Sequence, residues 1–153
     1  RDSSIGTLRL EGYKRALRDN GIEYDESLVV TMDPDEQTYT MQNGYQQTKQ
    51  LLSRGVPFTA VYAIADVIAI GACKAIFDAG LKVPEDVSVA GFDGLDQAYY
   101  YQPSLTTIEQ PIREMTTEAS RILFELINEK TGRRYRIFPA KLREGQSVRR
   151  LTG

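Results

Sequence analysis

Short apolar runs alternate with longer amphipathic stretches along the chain. The apolar runs have the length of strands and occur at residues 28–32, 58–62, 87–90, 105–110 and 135–142. The amphipathic stretches repeat their apolar residues with the helical period, at about residues 4–20, 38–53, 66–79 and 112–130. This alternation predicts an α/β fold, in which a three-layer αβα arrangement has helices on both faces of a parallel sheet.

Individual residues refine the predicted helices. The first helix carries an apolar stripe made of Ile5, Leu8, Ala16 and Leu17. Gly12 lies inside it at a cost of roughly 1 kcal/mol relative to alanine, which close packing against the sheet would explain. The helix at 66–79 is apolar nearly all round, so it should be covered on more than one side.

The stretch Val87-Ser-Val-Ala-Gly-Phe-Asp-Gly94 is the main candidate for a binding site. It reads as a buried strand, Val87 to Ala90, that stops at Gly91 and presents a carboxylate between two glycines. Ligands of open α/β sheets bind beyond the carboxyl ends of the strands. We therefore expect Asp93 to face a cleft, and residues 95–102 to form a loop.

Composition narrows the possible chemistry. The 153 residues have a net charge of −2, so the chain as a whole lacks the excess of basic charge that is typical of proteins that bind nucleic acids or membranes. Histidine is absent, which excludes His-based triads and His metal sites. The single cysteine, Cys73, lies in an apolar helical run and is expected to be a buried structural thiol. No cofactor or metal motif is present, and no apolar run approaches the roughly 20 residues that span a bilayer.

Several motifs, in order and spacing, resemble the lactose-repressor family of bacterial transcription regulators. They are Arg9-Leu-Glu-Gly-Tyr13, Phe58-Thr-Ala-Val-Tyr62 before Asp66, Gly80-Leu-Lys-Val-Pro84, Val87-Ser-Val-Ala-Gly-Phe-Asp93 and Leu105-Thr-Thr-Ile-Glu-Gln-Pro111. Any one of them alone would be weak, but the combination covers almost the whole chain.

The resemblance implies a periplasmic-binding-protein-like type I fold, of which this chain is an incomplete part. Residues 1–109 and 140–153 would form most of the C-terminal lobe of an effector-binding domain. Residues 110–139 would be a crossover strand and helix that belong to the otherwise missing N-terminal lobe. The apolar stripe of the helix at 112–130 would then lack its partner, and a neighbouring chain, a remnant segment or a rearranged packing would have to cover it.

The implied function is sensing of a sugar, phosphosugar or related small metabolite by a cytoplasmic, dimeric repressor. Operator DNA would be bound only through an N-terminal helix-turn-helix outside this chain, and no membrane contact is expected. Binding between the lobes would shift an equilibrium between closed and open arrangements.

The resemblance also implies five effector-binding residues, each with a plainer alternative. Arg9 would fork onto ligand hydroxyls, or be a solvated helix charge. Asp93 would accept hydrogen bonds from two ligand hydroxyls, or its carboxylate would accept hydrogen bonds from the backbone of its own turn. Asp66 would contact ligand or cap its helix. Tyr39 would stack on the sugar or be an ordinary surface or core tyrosine, and Gln110 would contact ligand directly or through water.

One position departs from the family pattern, and another set of residues implies an interface. The family usually has an asparagine before the aspartate at 66, whereas this chain has Ala65, so one polar anchor is lost. The dimer contacts would come from Ile70, Tyr99, Tyr100 and Tyr101, since tyrosines are enriched at interfaces. Alternatively, these residues pack within their own chain.

Two functions are alternatives to the repressor. The first is a lobe of a periplasmic or extracellular sugar-binding transport receptor, which an upstream signal peptide would distinguish from a helix-turn-helix. The second is an enzyme of doubly wound fold, in which Asp93 and Asp96 would do acid–base work. The sequence contains no nucleophile elbow or phosphate-binding glycine loop, so we expect no enzyme.

Overall fold

The structure is a computed structural model, and it describes residues 4–31, 39–129 and 135–151. These ranges contain five α-helices, one short 3-10 helix and four strands. In chain order they are α1 (Ser4–Asp19), the 3-10 helix (Glu26–Leu28), α2 (Met41–Ser53), β1 (Ala60–Tyr62), α3 (Asp66–Asp78), β2 (Ser88–Asp93), α4 (Asp96–Tyr100), β3 (Thr106–Glu109), α5 (Ile112–Glu129) and β4 (Lys141–Arg143).

The four strands form one sheet in the order β1-β2-β3-β4. The first three are parallel, as predicted, whereas β4 is antiparallel to β3, so the sheet is mixed. The strand predicted over 135–142 begins only at Lys141, beyond Pro139, and lies at the sheet edge. Because β1, β2 and β3 are parallel, their carboxyl ends meet at one edge of the sheet.

Helix α3 covers one face of the sheet and α2 packs on α3. A Cβ at Gly44 would collide with the backbone of Ile68, and a Cβ at Gly71 with the carbonyl of Met41, so the two helices touch through glycines. The core between α3 and the sheet consists mainly of small and branched side chains: Ala63, Ala65, Ile68, Ala69, Ile70, Cys73, Ile76, Val83, Val87, Val89, Ala98 and Leu105. Helix α3 is thus covered on two sides, as its sequence predicts.

Helix α1 lies on the other face. Gly91 of β2 faces α3, so its neighbour Ala90 and the β1 residue paired with it, Tyr62, point away from α3. There the ring of Tyr62 stacks on Tyr13 of α1, with centroids 6.4 Å apart and planes 12° apart. This contact completes the αβα order of layers.

The face that α1 turns inward differs from the predicted stripe. Of the predicted stripe, Ile5, Leu8 and Ala16 are exposed and only Leu17 is partly buried. The other partly buried side chains are those of Arg9, Leu10 and Tyr13. The prediction about Gly12 was also wrong, because no atom lies within 4 Å of a Cβ built there. The reason is that a polar side chain, Arg9, and an aromatic ring make the contact with the sheet, so an apolar-periodicity argument selects the wrong face.

The strand predicted at residues 28–32 is also wrong within the described part of the chain. Residues 26–28 form the 3-10 helix, which Asp25 caps by accepting from the Ser27 amide at 2.8 Å. The Arg54 guanidinium donates to the Ser27 and Val29 carbonyls, so these groups bond a side chain instead of a neighbouring strand. Met32 and the predicted turn at residues 33–35 lie outside the described residues.

Two predicted boundaries around the central strand require correction. Strand β2 does not stop at Gly91 but continues to Asp93, because Gly91 pairs with Thr107 of β3. Residues 95–102, predicted to be a loop, contain the short helix α4, anchored by the fully buried Ala98.

Helix boundaries elsewhere lie close to prediction. Helix α2 begins at Met41, three residues late, because the Thr40 hydroxyl caps it by accepting from the Asn43 amide at 3.1 Å. Thr38 lies outside the described residues, as do Lys130 and the predicted helix stop at residues 131–132.

Helix α5 spans Ile112–Glu129, and most of its apolar side chains are exposed, while Ile122 and Leu126 are partly buried. Leu123, Phe124 and Ile127 are each more than half exposed. Within the described residues, then, no rearranged packing covers this stripe. None of the helices in the described ranges combines the length and apolar character required to cross a bilayer.

Candidate functional site

Asp93 ends the central strand at the carboxyl edge of the sheet. Its φ of 121° is unusual for a residue with a side chain, and the next residue, Gly94, has a φ of 77°. A Cβ at Gly94 would collide with Glu109 of β3, so both the space and the backbone angle favour glycine there. The turn directs the Asp93 carboxylate toward α1, with about a quarter of its side chain exposed.

Arg9 reaches this carboxylate from α1. Its Nη2 lies 3.7 Å from Oδ1 of Asp93, while its Nη1 donates to the carbonyl of Ile64, just after β1. The guanidinium carbon lies 3.9 Å from the centroid of the Phe92 ring, a cation–π contact. One arginine thus bridges the ends of two neighbouring strands, and only 16% of its side chain is exposed.

Gln110 completes the group from the end of β3. Its Nε2 donates to Asp93 Oδ1 at 2.8 Å, and its backbone amide donates to the Asp93 carbonyl at 3.3 Å. The structure therefore brings together three residues that the sequence singled out, Arg9, Asp93 and Gln110. They come from α1 and from the ends of β2 and β3.

The electrostatics of the site centre on Asp93. Burial raises the pKa of its carboxyl above the ordinary value, the Arg9 guanidinium lowers it, and the nearby Asp66 carboxylate raises it. The hydrogen bond from Gln110 acts in the same direction as Arg9. Burial likewise raises the pKa of the Tyr62 hydroxyl, with Arg9 acting in the opposite direction.

The contact between Arg9 and Asp93 leaves hydrogen-bonding capacity for hydroxyl groups. The 3.7 Å between the Arg9 nitrogen and the Asp93 oxygen is an ion-pair distance but exceeds a good hydrogen bond. A hydroxyl can donate to the carboxylate while accepting from the guanidinium, and the fork of Arg9 has five N–H donors. Within the described residues, no cluster of three or more acidic or cysteine side chains is placed to hold a metal ion.

Asp66 does not belong to the exposed part of the site. Its side chain is fully buried, Oδ1 accepts from the Thr107 hydroxyl at 2.5 Å, and Oδ2 accepts from the Leu95 amide at 2.8 Å. Each oxygen thus already has a partner within the protein, and a contact of Asp66 with a ligand stays a prediction. The alternative of a helix cap is wrong, since α3 begins after Ala65 with no side-chain cap.

Tyr39 stands apart from this group in the described structure. It precedes α2, next to the undescribed residues 32–38, and its side chain is 45% exposed. Stacking of Tyr39 on a ligand stays a prediction.

Comparison with known proteins identifies the domain. A family model described as a periplasmic binding protein-like domain matches residues 1–148. The chain belongs to this family.

The relatives are LacI-family transcription regulators, aligned over their C-terminal effector domain. The HTH-type transcriptional regulator MalR of Clostridium butyricum is 37% identical over 146 residues, which is 95% of this chain and 42% of that protein. A solved complex of the transcriptional regulator CelR with cellobiose is 34% identical, with a TM-score of 0.83 over 93% of this chain and 42% of that one. A lac repressor dimer bound to operator and an anti-inducer is 30% identical, with a TM-score of 0.79 over 94% of this chain and 48% of that one.

This periplasmic-binding-protein-like chain spans less than half the length of these three relatives. All three are named as transcription regulators or repressors, which favours a regulator over a transport receptor and over an enzyme.

The four residues expected at a dimer interface divide into two pairs. Ile70 is buried in the core and Tyr101 packs partly buried against it, so most of their surface is used within the chain. Tyr99 and Tyr100 are 61% and 81% exposed and meet edge to face, with centroids 5.1 Å apart. Only this second pair offers substantial free surface, and its role stays a prediction.

Sequence reasoning missed four contributors to the site. Phe92 and Tyr62 lie within quoted motifs but were not given roles, although an aromatic ring beside a carboxylate is a visible signal. Thr107 and Arg143 had no signal, because their roles depend on strand pairing across the sheet. Arg143 lies opposite Thr107 in β4 and donates to the carbonyls of Gly94 and Leu95, at 3.3 and 2.9 Å.

Proposed function

We propose that this chain is most of the C-terminal lobe of the effector-binding domain of a bacterial transcriptional repressor, and that it senses a sugar, phosphosugar or related hydroxyl-rich metabolite. The observation that carries the proposal is the meeting of Arg9, Asp93 and Gln110 at the carboxyl edge of the parallel strands. Operator DNA would be bound by a helix-turn-helix in the parent protein, consistent with the name of the MalR relative.

Recognition would use complementary donors and acceptors. The Asp93 carboxylate would accept from one or two ligand hydroxyls, and Arg9 would donate to the oxygens of the same hydroxyls. Because both groups are largely withdrawn from water, these hydrogen bonds would form in a low-dielectric site where they are stronger. Gln110 would either contact the ligand or release Asp93 to it.

Residues 110–139 would belong to the other lobe of the domain, with residues 1–109 and 140–153 in the present one. The exposed apolar side of α5 supports this division. An amphipathic helix normally buries its apolar side against another element, and none of the described helices packs closely on α5. Gln110, at the start of this crossover segment, would couple ligand binding at Asp93 to the position of α5.

Dimerisation would use the exposed pair Tyr99 and Tyr100. The lac repressor neighbour is a dimer, and two adjacent exposed tyrosines supply contact area at low cost in side-chain entropy.

A thermal-shift screen tests the ligand proposal. A protein that contains both lobes of the effector-binding domain is heated with glucose, galactose, maltose, cellobiose or glucose 6-phosphate at millimolar concentrations. At ten times Kd, one of them should raise the Tm by about 4 °C. The shift should disappear in Arg9→Ala and Asp93→Asn and persist in Arg18→Ala, which removes an exposed arginine of the same helix. A ligand that stabilises the Arg9 and Asp93 variants as much as the parent chain would contradict the assigned site.

A further inference from the structure

The turn that carries Asp93 is strained. Its φ of 121° lies in a region that side-chain-bearing residues seldom occupy, and such conformations raise the free energy of the backbone. A strained residue persists only when its surroundings fix it. The contacts of residues 93–95 should therefore show what holds the carboxylate in place.

Four polar groups of this turn's backbone are bonded by other parts of the chain. The Asp93 carbonyl accepts from the Gln110 amide, as described above. The Gly94 and Leu95 carbonyls accept from Nη1 and Nη2 of Arg143. The Leu95 amide donates to Asp66 Oδ2. Two side chains, Arg143 and Asp66, thus take both backbone polar groups of Leu95 and one of Gly94.

These two side chains are themselves fixed. Arg143 pairs across the strands with Thr107, and directly opposite residues of antiparallel strands point to the same face of the sheet. Thr107 donates to the buried carboxylate of Asp66, which fixes the second of the two side chains that bond the turn. Gly91 leaves the space that the Asp66 carboxylate fills, because a Cβ there would collide with Oδ1.

We propose that Arg143 and Asp66 are positioning residues, which hold the turn at residues 93–95 in its strained form and keep the Asp93 carboxylate directed at Arg9. The relevance to ligand binding rests on the proposed function, while the positioning itself does not. Both would act on ligand binding through the turn and not by touching the ligand. Arg143 acts through its fork, since two carbonyls of consecutive residues need two donors in fixed geometry.

Arg143→Lys is the test variant, because it keeps the positive charge and removes the planar guanidinium, whose two nitrogens donate to the two carbonyls. The matched control is Arg149→Lys, in which the lost Arg149 contact is a single bond to the Pro84 carbonyl. Two NMR measurements on the ligand-free chain report on the turn. They are the hydrogen-exchange rate of the Leu95 amide and the three-bond HN–Hα coupling of Asp93, which is small at its present φ and large in extended backbone.

In Arg143→Lys, we expect Leu95 exchange to accelerate by about tenfold or more and the Asp93 coupling to rise. Both should stay unchanged in Arg149→Lys. Unchanged exchange and coupling in Arg143→Lys would overturn the proposal, even if the variant melts earlier, because a merely structural arginine lowers the Tm without releasing this turn.

A second variant tests the other contact. Asp66→Asn replaces one acceptor oxygen by a donor, and it should accelerate Leu95 exchange in the same way if it folds. If it does not fold, the outcome of Arg143→Lys decides alone. Because no ligand is used, these measurements test the positioning alone, and their outcome stands whether or not the proposed function fails in the thermal-shift screen.

Discussion

At the scale of single residues, the site is a balance of charges around one carboxylate. Asp93 is withdrawn from water, which disfavours its ionised form, and Arg9 and Gln110 partly restore that form. Asp66 is also an aspartate but has a different role, because its two carboxylate oxygens accept hydrogen bonds from groups inside the protein. Burial and partners, rather than residue type, separate a group that can meet a ligand from one that supports the turn.

The balance at Asp93 makes a pH-dependent prediction. The pKa of Asp93 is raised in the folded chain, so ionisation of this carboxyl lowers the free energy of unfolding. The stability that the protonated form contributes is complete below the pKa of Asp93 in the unfolded chain. It is lost as the pH rises through the pKa of Asp93 in the folded chain. In Arg9→Gln, the pKa of Asp93 should rise further, because the main influence that lowers it is gone.

Carboxyl ¹³C NMR titration of chains labelled at aspartate measures this pKa. Arg18→Gln is the control, and it should leave the Asp93 titration in place. A lower Asp93 pKa in Arg9→Gln would show that the guanidinium does not act on this carboxylate. Chemical denaturation of Asp93→Asn should also lack the decline in stability that Asp93 causes as pH rises.

At the scale of elements, the helices are held in different ways. Helix α3 is buried between the sheet and α2, and glycines form the α2–α3 contact. Helix α1 touches the sheet mainly through Arg9 and Tyr13 and is otherwise largely exposed. A helix that is loosely attached by its functional residue depends more on its own helical propensity.

Two glycines inside helices should therefore respond oppositely to alanine. Gly12→Ala should increase the free energy of unfolding by about 1 kcal/mol, since nothing is near the added Cβ and alanine favours the helix. Gly71→Ala should decrease it by about 1–3 kcal/mol, because the Cβ meets the Met41 carbonyl. Urea denaturation followed by circular dichroism measures both changes. Loss of stability in Gly12→Ala would mean that α1 packs more closely than described.

At the scale of the whole molecule, two surfaces remain without partners in the described chain. One is the exposed pair Tyr99 and Tyr100 on α4, and the other is the apolar side of α5. The chain spans less than half of the relatives described above, and their remaining residues offer partners for such surfaces.

The tyrosine pair should mediate association of two chains. Tyr100→Glu should shift the chain from dimer to monomer in sedimentation velocity, because a charge would be placed in a desolvated contact. Tyr135→Glu is the matched control, since Tyr135 is equally exposed outside α4. Identical sedimentation of the parent chain and Tyr100→Glu would end the interface proposal. Ile70 is unsuitable for this test, because it is buried and a charge there would unfold the chain.

The apolar side of α5 should be dispensable for the stability of this chain. The double variant Phe124→Lys and Ile127→Lys should change the free energy of unfolding by no more than about 1 kcal/mol, as exposed substitutions do. Ile76→Ala, a fully buried core position, should cost about 2–5 kcal/mol. Light scattering should show less aggregation of the lysine variant. A large loss of stability in that variant would show that the stripe packs within the chain.

The sequence by itself determined the alternation of helices and strands, the parallel arrangement around β2 and the residues Arg9, Asp93 and Gln110. The alternation and the parallel arrangement follow from periodicity and turn chemistry, which are local along the chain, whereas the three residues were singled out through motifs that resemble the lactose-repressor family. Only the tertiary structure decided that Gly91 continues a strand, that α1 turns Arg9 inward, that Asp66 is buried and that Arg143 bonds the turn. Those outcomes depend on which distant residues strand pairing and helix packing bring together, and local patterns carry no record of such contacts.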